Sequence, residues 1–375
     1  MHHFIFPTKT AWISSGSSTI TGESFRNQNF GKDQILEIKK EFFNFSLDYQ
    51  TRALVQFSGE EFNKMSQSLV NGDIAADAKF YLRLYEAEGN QELSTEYKIA
   101  ALPLSSSWVE GRGKFGDNPK VTDGCSWENT EFPDGGTAIT WSKTDGSSNH
   151  GGNFLYVSGA VQTFSDESPD IELDISDMTR AWLSGSKNEG GIDNNGLLLR
   201  FSGSQETNSS SFGHLKFFSR NTHTIYSPKL EIRWNDVSHS AGSTLSEITM
   251  SGGVDNYLYM PNLRESYKEN EKVKFRVKPR KQYVQKTFDT SVQTLSGSYI
   301  PKDSASYSIV DVTTGETIVP FSGYTSMSCD ATSNYFIQWL NGFYPDRVYK
   351  ILYKITYDDS QEQIIDNNFE FIVKR

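Results

Sequence analysis

The residues able to do chemistry are few and scattered. The six histidines, His2, His3, His150, His214, His223 and His239, fall in loops or at element ends, and no HExxH, GxSxG, GxxxxGK[ST] or CxxC occurs. One GxGxxG occurs, GRGKFG from Gly111 to Gly116. A dinucleotide site needs that motif between a strand and a helix, and the flanks SSSWVE and DNPKVTDG carry no helix signal. It therefore reads as a glycine-rich turn. Glycosidase chemistry needs two carboxyls facing one another across a sugar. The candidates are Glu60 with Glu61, Asp73 with Asp77, and Asp170, Glu172 and Asp174, which alternate on one strand face and so point together into solvent. No catalytic residue is assigned, and the expectation is a protein that is not an enzyme.

Two binding chemistries fit the residue types better. Loops rich in Asp, Asn and backbone carbonyls suit a structural Ca²⁺. The segments GDNPKVTDG (Asp117, Asn118, Asp123) and NEGGIDNNG (Glu189, Asp193, Asn194) have that composition, without EF-hand spacing, and simple turn formation explains the same residues. A sugar would need an exposed aromatic ring as a platform. Trp108, Trp127 and Trp141 border long loops, with Trp127 and Trp141 the glycan candidates, although packing at turns also accounts for Trp108 and Trp127. Cys125 and Cys329 fall in different expected domains and read as reduced, and no zinc-ligand spacing surrounds them.

The elements that must position these groups are strands. Phe, Tyr and Trp make up 13% of the 375 residues, and Gly, Ser and Asn fill the stretches between short apolar runs, which is an all-β composition. Alternating or continuous apolar runs include QILEIK, TRALVQFS, KFYLRLYE, Tyr97–Pro103, Asn153–Ser158, Ile171–Ile175, Gly196–Ser202 and Leu215–Ser219. SFGHLKFFSRNTHTIYSPKLEIRW reads as two closing strands around a loop, ending at Trp234. One segment departs from this pattern: DISDMTRAWLSG predicts a short helix capped by Ser176 or Asp177 and stopped at Gly185. Beyond Trp234, NDVSHSAGSTLS reads as a linker, and further runs follow, among them Val273–Val277, Tyr283–Phe288 and the hairpin VDVTTGETIVPF. The expected division is 1–235, a linker 236–246, and 247–375.

Charge narrows the partners. The net charge is −11; through Trp234 there are 21 Lys plus Arg against 30 Asp plus Glu, and beyond it 15 against 17. Neither part has the cationic excess that duplex binding needs, so no nucleic acid is expected. No run approaches the ~20 apolar residues of a membrane span, and MHHFIFPTKTAW lacks the make-up of an export signal.

The first 235 residues resemble the DNRLRE family, a disaggregatase-related β-sandwich akin to carbohydrate-binding modules. The pieces that carry this, in order, are Asn29-Phe30-Gly31, TRALVQFS, AKFYLRLYE, WVEGRG, CSWEN, IELDISDMTRAWLSG, NNGLLLRFSG and FFSRNTHTIYSPKLEIRW. Long insertions at 132–152 and 185–195 depart from the pattern. The whole chain is similar to structural proteins of tailed bacteriophages of marine and cyanobacterial type, in segments such as ESYKENEKVKFRV and NGFYPDRVYKI. The resemblance implies a jelly-roll-like sandwich followed by a smaller immunoglobulin-like one. It also implies a virion protein of neck, collar, tail or capsid exterior, assembled in the host cytoplasm. Its partners would be other virion proteins and copies of itself set by virion symmetry. The alternative is an adhesin contacting host glycans.

Overall fold

The computed structural model describes residues 1–18, 22–43, 47–88, 96–133, 136–141, 150–155, 160–165, 170–185, 188, 190–210, 212–251, 256–283, 288, 292 and 296–375. Strands dominate it, in several largely antiparallel sheets, as the composition predicts. The chain forms two compact units. One comprises 5–71 and 79–231; the other comprises 1–4, 72–78 and 232–375.

In the first unit an eight-stranded sheet runs in the order Val161–Ser165, Glu96–Pro103, Leu197–Phe201, Leu47–Gln56, Ile35–Phe43, Gly213–Phe218, Glu86–Glu88, with Lys9–Ser14 also paired to Leu47–Gln56. A second sheet holds Lys229–Arg233, Lys79–Leu84 and Ile171–Asp174 side by side. The register follows the alternation in the sequence. Phe80, Leu82 and Leu84 are buried while Lys79, Tyr81 and Arg83 are not, and Ile171 and Leu173 are buried while Glu172 and Asp174 are exposed. Asp170 leaves that row of acids, because its carboxylate accepts the Glu86 N–H at 2.7 Å.

The expected helix spans Ser176–Ser184 and stops at Gly185, which has φ +70°. No side chain caps its start; Ser176 is its first residue and donates to Asp174 instead. The expectation of a single helix is corrected by Glu60–Asn71. Gly59, at φ +86°, turns the chain into it, Glu60 and Glu61 face its positive end, and Phe62 and Met65 bury one narrow stripe. A single turn, Ser204–Thr207, adds a third helical piece.

A buried ion cluster braces the large sheet. The Glu206 carboxylate receives both Arg52 nitrogens, Nε at 2.8 Å and Nη2 at 3.1 Å, and an Arg200 nitrogen. Arg52 also donates to the Gly151 carbonyl at 2.6 Å. All three side chains are nearly solvent-free, so each charge depends on the others.

The second unit stacks two sheets. One is ordered Asn256–Tyr259, Lys272–Lys281, Asn334–Trp339, Ser328–Cys329, the other Ser266–Lys268, Glu362–Lys374, Arg347–Thr356, Ala305–Asp311, Thr317–Val319. Its core is aromatic: Tyr307 stacks on Phe336 at 3.7 Å, and the Tyr307 hydroxyl donates to Gln338 at 3.1 Å. The VDVTTGETIVPF segment forms the expected hairpin, with Gly315 at φ +73° in its turn. The expected strand Tyr283–Phe288 lies mainly outside the described residues.

Two segments join this unit from unexpected places in the sequence. The stretch read as a linker lies along Ser328–Cys329: Cys329 N–H donates to the Ser238 carbonyl and Ser240 N–H to the Cys329 carbonyl, each at 3.0 Å. Residues 1–4 belong here too. His3 meets Trp339 edge to face at 4.4 Å, and the His2 carbonyl accepts from Gln338 at 3.2 Å. Gly342 is a glycine because any Cβ there would sit 2.1 Å from the ring of the buried Phe4.

Candidate functional site

The same alternation that buries one side of the large sheet builds a groove on the other. In ILEIKKEFF, Leu36 and Ile38 turn into the core, leaving Glu37, Lys39 and Glu41 on the opposite side. Trp12 and Ser14 from Lys9–Ser14, Tyr49 and Thr51 from Leu47–Gln56, and His214 and Lys216 from Gly213–Phe218 line the same space. It holds two adjoining hollows of about 320 and 460 Å³ that share Trp12, Glu37, Phe115 and Lys216. Each falls within the range of small-molecule sites, ~300–1,000 Å³.

One end is aromatic. Trp12 stacks on Phe30 with centroids 3.7 Å apart, Phe25 meets Phe30 edge-on, and Phe115 leans over Trp12 at 6.1 Å with 57% of its surface exposed. Asp33 fixes this group from behind: one oxygen accepts the Trp12 indole N–H at 2.8 Å, the other the Phe115 N–H at 3.1 Å. Burial pushes the Asp33 carboxyl up, and neighbouring Glu37 and Asp117 push the same way against those two donors.

The rest of the groove sets acidic side chains beside nitrogen-bearing ones. Glu37 lies 3.3 Å from His214 Nε2, Lys39 2.6 Å from Glu41, and Lys216 2.6 Å from Glu88. A groove of this kind presents donors and acceptors close together beside an exposed ring. That arrangement matches a polyhydroxylated ligand, whose hydroxyls both donate and accept and whose C–H faces lie on aromatic rings. General acid–base work fits it less well, because both Asp33 oxygens are occupied in holding Trp12 and Phe115.

The tryptophans singled out in the sequence lie elsewhere. Trp141 is 1% exposed and Trp127 6%, both in a cluster with Trp108, Ile13, Leu54 and Leu198. Trp141 donates its indole N–H to the Ser126 carbonyl and Trp108 to the Asn195 carbonyl, each at 2.9 Å, and the Arg52 guanidinium lies 5.1 Å from the Trp127 ring. Their faces are covered by packing, so Trp127 and Trp141 are core residues and not sugar platforms.

The acidic candidates are engaged locally or stand apart. Asp117 accepts the Lys114 N–H at 2.7 Å, Asp123 pairs with Arg112 at 2.6 Å, and Asp193 is exposed beside Asn194, whose amide donates to the Phe57 carbonyl at 2.6 Å. Glu189 lies outside the described residues. Among the described residues no three His, Cys, Asp or Glu side chains converge as metal ligands would.

The glycine-rich GRGKFG segment is a turn folded around Asn29. Asn29 Oδ1 accepts the Gly113 N–H at 2.8 Å, and its amide donates to the Glu110 and Cys125 carbonyls, each at 2.8 Å. A Cβ at Gly113 would lie 2.3 Å from the Asn29 carbonyl oxygen, which is why the close approach needs glycine. This turn delivers Phe115 to the groove, so the motif does serve the site, by shape and not by binding phosphate.

The groove residues were hard to single out because most look like ordinary strand residues. The available signal was KTAWIS, where alternation sets Trp12 and Ser14 opposite Ala11 and Ile13. No protein-family model matches the chain, and no curated protein is significantly similar to it.

Proposed function

We propose that this chain is a non-enzymatic protein of a bacteriophage particle whose first unit recognises carbohydrate in the groove lined by Trp12, Tyr49, Phe115, Lys39 and His214. The observation that carries the recognition reading is the groove itself, in which self-paired charges on one strand face lie beside the exposed ring that the glycine-rich turn delivers. The segments ESYKENEKVKFRV and NGFYPDRVYKI support the particle reading, as does the acidic balance, which disfavours contact with packaged DNA.

Glycan-array binding by the purified chain tests this directly. Phe115→Ala is expected to lower the affinity for a bound glycan about tenfold while leaving the melting temperature unchanged, since the ring is exposed. Absence of any bound glycan overturns the carbohydrate reading, and release of shortened sugars by pure protein overturns the non-enzymatic one. Failure to find the chain in a density map of purified particles overturns the assignment to the virion.

A further inference from the structure

The second unit carries a row of cations that the carbohydrate reading does not use. In KVKFRVKPRK, Val273, Phe275, Val277 and Pro279 turn inward, while Lys272, Lys274, Arg276, Lys278 and Arg280 turn outward on the central strand Lys272–Lys281. Alternate residues of a strand stand ~6.6–6.8 Å apart, so these five cations form a straight, evenly spaced file. The neighbouring strands flank it with aromatics. The register sets Tyr257 beside Arg280, Tyr259 beside Lys278, Tyr335 beside Arg276 and Trp339 beside Lys272. Tyr257 and Tyr259 are each more than a third exposed.

Three features identify the occupant. The first is where the cations sit. Lys274 Nζ lies 3.5 Å from the Tyr335 ring centre, Arg280 Cζ 4.7 Å from that of Tyr257, and Lys272 Nζ 5.0 Å from that of Trp339. Rings already covered by their own cations are not open platforms for bases or sugar rings, whereas single-stranded nucleic acid is held by open rings as well as by charge. The second is Asp330, which shows how a carboxylate is received here. Its oxygens take Arg276 through both terminal nitrogens, at 3.0 and 2.8 Å, and Lys274 at 3.0 Å. Arg276 and Lys274 hold this carboxyl well below the usual carboxylate range. The third is that Lys272, Lys278 and Arg280 have no ion pair among the described residues, so the file keeps its sign on both sides of Asp330.

We propose that this face docks an extended, acidic segment of a partner polypeptide, with carboxylates at alternate positions meeting Lys272, Lys278 and Arg280. An extended peptide repeats every second residue at the same spacing as the file, so several carboxylates fall on cations in one register. The backbone of such a segment would pass beside Tyr257, Tyr259 and Trp339, whose edges supply contact area while Arg280 and Lys272 keep their places over Tyr257 and Trp339.

Fluorescence anisotropy tests this with the full chain and a labelled peptide of about ten residues alternating Glu and Thr, beside a labelled oligothymidylate and a sulfated dextran of similar charge. The peptide is expected to bind, and to weaken about tenfold or more as salt rises from roughly 50 to 300 mM. The triple variant Lys272→Glu, Lys278→Glu, Arg280→Glu is expected to lose binding at least about tenfold, while Lys302→Glu, an exposed lysine off the file, leaves it unchanged. Should the triple Glu variant fail to fold by circular dichroism, the triple Gln variant, which removes charge and keeps length, must show the same loss. Tighter binding of oligothymidylate or sulfated dextran than of the peptide overturns the proposal in favour of that polymer. Binding of no probe, or undiminished peptide binding by the charge-removed variants, also overturns it.

Discussion

Two strand faces, one in each unit, are built by the same period-2 device and reach opposite electrostatic outcomes. Around Glu37, Lys39, Glu41 and Lys216, outward residues of both signs stand side by side, and Lys39 with Glu41 and Lys216 with Glu88 neutralise one another at 2.6 Å. Along Lys272–Arg280 the outward residues share one sign, and only Asp330 is seen to answer them among the described residues. A neutralised face has little field beyond contact range and selects by directed hydrogen bonds, so its binding should respond weakly to salt. A single-sign face attracts from a distance and should respond strongly. The groove also leaves Phe115 open, whereas Tyr257, Tyr335 and Trp339 lie beneath cations. Strand alternation thus decides only which residues face outward; the order of charges along the strand decides what the face can recognise.

The comparison breaks most severely if the support behind the groove is removed. Glu206→Ala strands the buried Arg52 and Arg200 guanidiniums without their carboxylate, at a cost of about 3–5 kcal/mol. Calorimetry should show a lowered transition for this variant and loss of glycan binding, with acidic-peptide binding to the Lys272–Arg280 file retained below that transition. Equal loss of both activities would mean the two faces do not report on separate units.

An intermediate effect comes from His3, packed on Trp339 near one end of the cationic file. Burial, with help from the nearby Lys272 charge, lowers its pKa from 6.5 to about 4. Below 6.5 the unfolded chain takes up a proton that the folded one refuses, so stability declines as pH falls from 6.5 to about 4 and declines no further from this source below that. Over the whole window the decline should be about 3 kcal/mol. Melting curves at pH 7 and 4.5 check it, and His3→Gln should remove this part of the difference. A pH response unchanged in the variant would assign it to other groups.

The smallest effect sharpens the comparison without damaging either unit. Asp330→Asn removes the carboxylate from the single-sign face, and the affinity for an alternating Glu–Thr peptide should rise about threefold at low salt. Groove binding should stay the same. A fall in peptide affinity would show that Asp330 positions Arg276 for the ligand instead of competing with it.

Much of this was legible in the sequence. KFYLRLYE and KVKFRV declare their faces by alternation, and Gly315 and Gly185 fall where a turn and a helix stop require positive φ. The helix Glu60–Asn71 was not legible, because EEFNKMSQSLVN offers Ser and Asn among its residues and buries only Phe62 and Met65. Trp127 and Trp141 misled because loop composition says where a ring sits along the chain and nothing about what packs over it. The groove escaped because it arises from Trp12, Glu37 and Thr51 on three strands near the start of the sequence and His214 on a distant fourth. Local pattern fixes each residue's face, and only strand order brings the faces together. The same limit hid the placement of residues 1–4 and of Ser238–Ser240 in the second unit.

Gly342, shaped to admit Phe4, has a consequence for how the polypeptide is made. Phe4 meets a slot that lies more than three hundred residues later in the chain, so it stays unsatisfied until that later part has been synthesised. Closing so long a loop is slow, and the second unit is expected to be the later of the two to mature. A fragment cut at residue 236 would carry every strand of its sheets from Asn256 onward and still present an open slot where Phe4 belongs.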